Sequence, residues 1–120
     1  MGHDLYTSSI IGKKYFDLAN EIMEVDIQDI IFNGPEEKLK ETQYTQPAIY
    51  IVSVILGHIL LEKRQQPDMV AGHSLGEYSA CTIAGSLAFE TGLSLVKLRA
   101  ESMQAAGTTN PGTMAVIIGM

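Results

Sequence analysis

Residues 70–80, VAGHSLGEYSA, constrain the fold more than any other part of this chain. Ser74 is followed three residues later by Glu77, the spacing of a capping box in which a serine merely starts a helix. The same stretch reads G-x-S-x-G over residues 72–76, the turn that presents a nucleophilic serine between a strand and a helix. A capping box needs no flanking glycines. Gly76 would fall in the first helical turn, where glycine costs up to ~1 kcal/mol relative to alanine. Gly72 would end a buried strand, where its missing side chain gives up packing. Both make sense if strand and helix approach closely, at both glycines, around a strained corner that pushes the hydroxyl outward. Ser74 is therefore expected to be a nucleophile. The N–H of Leu75, at the helix start, is expected to donate to an oxyanion forming beside it.

The surrounding sequence predicts strands alternating with helices, hence an α/β architecture around a parallel sheet. DMVAGH, residues 68–73, reads as a short buried strand and TMAVIIGM, residues 113–120, as a second one. Helices are expected over residues 10–23, near 25–34 with Gly34 as the stop, over 46–65, from Leu75 to about Ala84, and over 93–106. GSLAFETG, residues 85–92, is read as a turn between the last two. Pro47 suits the first turn of the third helix. The longest apolar run, residues 48–61, is 14 residues and carries Ser53, Gly57 and His58. It is shorter than the ~20 residues a membrane span needs, so a core helix and no membrane partner are expected.

Hydrophobic residues make up 46% and charged residues 18% of the chain, ample material for a core. A net charge of −6 argues against a nucleic-acid partner. The one cysteine, Cys81, cannot form an internal disulfide and is expected to be a small buried hydrophobe, which fits a reducing cytoplasm. No metal site is expected.

GHSLGEYSA, with TQPA before it and LVKLRAESMQ and GTMAVIIGM after it, closely resembles the malonyl-CoA:acyl carrier protein transacylases and the related acyltransferase domains of polyketide and fatty acid synthases. The resemblance runs through essentially the whole chain, including FNGPEEKLKETQYTQPA. It implies an α/β-hydrolase-like acyltransferase core, with residues 1–110 in the large subdomain and 111–120 leading into a small ferredoxin-like one. It also implies a ping-pong transfer. Ser74 takes a malonyl group from malonyl-CoA and passes it to the phosphopantetheine thiol of acyl carrier protein, with no bound cofactor. Arg99 matches the family arginine that pairs with the substrate's free carboxylate, a job for a bidentate guanidinium fork rather than a lysine. His73 fits a substrate-pocket histidine beside the nucleophile. Gln46 matches a family glutamine near the active site, and Leu75 resembles the malonyl-preferring members.

The family's first strand, with its oxyanion glutamine, would precede Met1, and its catalytic histidine would follow Met120. His3, His58 and His73 are poor substitutes for that base. The isolated chain is thus expected to turn over little, and a sheet lacking its first strand to expose an apolar edge. Two other enzyme readings stay open, a polyketide acyltransferase and a serine hydrolase with the same corner. A non-catalytic binding or structural fragment is the third alternative.

Overall fold

A computed structural model describes residues 1–112 and 115–119. Among them the chain forms seven helices: α1 (His3–Ser8), α2 (Ile10–Met23), α3 (Ile27–Asn33), α4 (Glu36–Lys40), α5 (Thr42–Glu62), α6 (Gly76–Ile83) and α7 (Phe89–Thr109). Local chemistry starts and stops them. Ser9 caps α2, its side chain accepting from the Gly12 N–H at 3.2 Å, and Asp26 caps α3 through the Asp29 N–H at 2.8 Å. Glu24 closes α2 in a left-handed conformation, φ 58°. Lys97 of α7 reaches that terminus, donating to the Ile22 carbonyl at 3.2 Å and to the Glu24 carboxylate at 2.7 Å. The lysine holds the Glu24 carboxyl below the usual carboxylate range, first by hydrogen bonding and then by its charge.

α5 is the central element. Tyr50, Ile51, Val54 and Ile55 are fully buried, in one cluster with Phe16 and Ala19 of α2 and Leu93 and Val96 of α7. With 21 residues and a mean hydropathy of 1.5 over its most apolar window, α5 is long and apolar enough to cross a bilayer, but here it forms the core. It begins at Thr42, earlier than expected, so Pro47 lies inside the helix rather than in its first turn. The preceding TQYT segment offers no strong start signal, which hid that first turn.

GSLAFETG is not wholly a turn. α7 starts at Phe89 and runs through Gly92, where its backbone comes close to Tyr50 of α5. A Cβ at Gly92 would sit 2.1 Å from Tyr50 Oη and 2.8 Å from Cζ. That hydroxyl is fully buried, 2.8 Å from Thr82 Oγ1 and 3.1 Å from the Phe89 carbonyl oxygen, so it has little room to withdraw. Gly92→Ala should therefore destabilise the chain by about 1–3 kcal/mol in urea unfolding. Tyr50→Phe in the same chain should recover part of the loss by removing the nearest atom.

The two expected strands and the parallel sheet are not formed among the described residues. Segment 68–73 is irregular, with Met69 89% and Val70 38% exposed. Of the second strand, Thr113, Met114 and Met120 lie outside the described residues, while Val116, Ile117 and Ile118 are exposed without a ladder partner. The physical reason is that a helix satisfies its own backbone, whereas a strand exists only beside another strand. Among the described residues neither segment has a strand beside it. Cys81, expected to be buried, is exposed on α6. The helix turns its other face inward through Ser79 and Thr82.

Candidate active site

Ser74 does not cap α6. Leu75 occupies the capping position, and no side chain closes the helix start. Instead Ser74 sits at φ 54°, a left-handed conformation that strains a residue bearing a Cβ and that marks a sharp corner. Hydrogen bonds hold the corner, from the Gly76 N–H to the His73 carbonyl at 2.9 Å and from the Glu77 N–H to the Ser74 carbonyl at 3.2 Å. The buried Leu75 side chain anchors it to the core. The turn uses the N–H groups of Gly76, Glu77 and Tyr78, leaving that of Leu75 outside the set.

Gly72 makes the corner possible. A Cβ there would lie 2.0 Å from both the carbonyl carbon and oxygen of Gly76 and 2.3 Å from the Glu77 nitrogen. Gly76 differs from expectation, since a Cβ built on it meets nothing within 4 Å. One glycine lets the backbones touch; the other is the surface touched.

Three elements converge on the exposed Ser74 hydroxyl. Arg99, on α7, donates from Nη2 to Ser74 Oγ at 2.9 Å. Its Nη1 donates to Oε1 of Gln46, on α5, which is only 7% exposed. Gln46 Nε2 in turn donates to Met103 Sδ at 3.3 Å. Ser74, Leu75, Arg99 and Gln46, singled out from sequence, thus stand together. His73 is exposed next to Ser74 but outside this hydrogen-bonded chain. Met103 was missed. Its position four residues after Arg99, on the same face of a helix, was the available signal.

The other histidines are engaged elsewhere. His58 stacks on Tyr15 with ring centroids 5.1 Å apart, and burial, then the Lys14 charge, pull its pKa down. His3 meets Phe32 edge-on at 5.1 Å. Among the described residues no three His, Cys, Asp or Glu side chains gather as a metal site.

A left-handed serine on a glycine-tightened corner, opening a helix and touched by an arginine, is the geometry of a serine elbow. The chain belongs to the acyl transferase domain family, whose model matches residues 1–118. It is 40% identical over its full length to the malonyl CoA-acyl carrier protein transacylase of Bacillus subtilis, covering 38% of that protein. It is also 40% identical, over 90% of its length, to a polyketide-biosynthesis malonyl CoA-acyl carrier protein transacylase of the same organism, covering 37% of it. The solved malonyl-CoA:ACP transacylase of Synechocystis sp. PCC 6803 superimposes with a TM-score of 0.84 and 46% identity, over 88% of this chain and 36% of that one. The chain therefore spans well under half the length of these relatives.

Proposed function

We propose that this chain carries the nucleophile and the carboxylate clamp of a malonyl transferase. The observation that carries the reading is Arg99 donating to Ser74 Oγ at 2.9 Å, a guanidinium held beside the elbow hydroxyl. In the first half-reaction Ser74 Oγ attacks the thioester carbonyl of malonyl-CoA, losing its proton to a base, and the coenzyme A thiolate leaves. In the second, the phosphopantetheine thiol of acyl carrier protein attacks the malonyl-serine ester and releases the serine. Covalent catalysis lets two bulky thioesters use one site in turn. The Leu75 N–H supports the oxyanion of each tetrahedral intermediate. His73, beside the nucleophile, would face the acyl group, and the locale is the cytoplasm.

A guanidinium accepts no proton, so Arg99 is not the base. Among the described residues no histidine hydrogen-bonds to Ser74, so this chain incubated alone with malonyl-CoA should show little acylation by intact-protein mass spectrometry. Rapid stoichiometric labelling would contradict that. We further propose that residues 68–73 become a strand of an α/β-hydrolase-like parallel sheet once flanked by extended neighbours. The large subdomain would then run over residues 1–110, with 111–120 leading into the small one.

Arg99→Ala, made in the protein expressed from its complete reading frame, tests the clamp. Loss of a charge-assisted pair should lower kcat/KM for malonyl-CoA about a hundredfold, mainly through KM, and far more than for acetyl-CoA. Arg99→Lys should recover little, because an ammonium cannot bind a carboxylate bidentately. Equal losses for charged and neutral thioesters would favour a serine hydrolase. The polyketide reading has support in the second Bacillus subtilis relative, and assaying carrier proteins of each pathway side by side distinguishes it.

A further inference from the structure

Arg99 is held from two sides, and Ser74 is only one of them. The other is the amide of Gln46, whose two ends differ chemically. Arg99 donates and cannot accept, so it requires the amide oxygen. A thioether accepts and cannot donate, so Met103 requires the amide nitrogen. Engaging the two ends of the Gln46 amide, the two leave a single amide orientation that satisfies both. Gln46 is 93% buried, from its 7% exposure, so an amide end deprived of its partner would find little water to replace it.

We propose that Met103 is a positioning residue. Its sulfur fixes the Gln46 amide, the amide fixes Nη1 of Arg99, and the pair thereby sets the preference for acyl groups that carry a carboxylate. One donor on each terminal nitrogen of Arg99 is engaged, to Gln46 and to Ser74. Of a guanidinium's five N–H groups, the remainder stay available for a carboxylate, in a direction set by the two that are tied. Met103 follows Arg99 by one helical turn on α7 and is 40% exposed, so its substitution disturbs little core. The inference rests on Arg99 acting as the carboxylate clamp.

The test uses the protein from its complete reading frame and reads the ratio of kcat/KM for malonyl-CoA to that for acetyl-CoA. Met103→Leu keeps the volume and deletes the acceptor. It should lower the ratio about three- to tenfold, through the KM for malonyl-CoA. Met103→Gln restores an acceptor oxygen at similar reach and should hold the ratio near the wild-type value. Gln46→Glu keeps an acceptor for Arg99 but neutralises its charge, and should lower the ratio further. Thermal melting of each variant identifies a damaged fold, in which case the Gln and Leu variants at Met103 would fall together and overturn the inference. If Arg99→Ala leaves the ratio unchanged, the clamp reading fails and this inference with it. If Arg99→Ala collapses the ratio while Met103→Leu leaves it intact, the positioning role alone is refuted.

Discussion

Ser74→Ala, in the protein expressed from its complete reading frame, is expected to lower malonyl transfer by at least about a thousandfold and to leave no acyl adduct on the chain. The expectation follows from where the hydroxyl stands. A helix cap would spend its oxygen on a backbone N–H within its own first turn, whereas Ser74 Oγ meets the Nη2 of Arg99, from another helix. The alanine variant keeps the same backbone demand, since both residues bear a Cβ at φ 54°. Its melting temperature should therefore stay close to wild type, separating lost chemistry from lost structure. A serine-directed sulfonyl fluoride should label the wild type at Ser74 and spare the variant. Persistent acylation of the alanine protein would move the nucleophile elsewhere.

Gly72→Ala should do the opposite, damaging structure first. The added methyl would lie 2.0 Å from two backbone atoms of Gly76 and 2.3 Å from a third of Glu77, none of which can swing aside as a side chain does. The corner must open, at a cost of about 3 kcal/mol or more, and Ser74 must leave Arg99. Unfolding in urea and acylation of Ser74 should both suffer. Gly76→Ala is the sharp contrast. It meets nothing within 4 Å and sits in helical backbone, so it should be neutral or stabilising by about 0.5–1 kcal/mol. Similar damage from both substitutions would mean that the corner is not built as described.

The contrast also marks what was legible beforehand. The G-x-S-x-G pattern located the corner, because strained backbone leaves a signature in residue type. It could not say which glycine was spatially obligatory, since that depends on which Cβ vector points at a neighbour. Gly92 illustrates the same limit. Beside Phe89 and Glu90 it read as punctuation, yet its reason lies more than forty residues away in Tyr50. α2 was readable from its periodicity and α3 from Gly34 as its stop, whereas their caps at Ser9 and Asp26 emerged only in the structure. The expected strands do not form, because pairing is a property of two segments and Met69 and Val70 have no strand partner among the described residues. Arg99 and Gln46 came from family resemblance. Spacing alone puts Met103 one helical turn after Arg99, but that its sulfur accepts from the buried Gln46 amide required coordinates.

α7 behaves as a ruler. Gly92 pressed against Tyr50, buried Val96 and Ala100, and the Lys97 tether to the end of α2 together fix its axial position. A slip of one residue would shift the guanidinium of Arg99 by about 1.5 Å and rotate it away from the elbow. If Arg99 clamps the substrate as proposed, acyl preference would therefore respond to changes in remote packing that never touch the substrate, through the register of this helix.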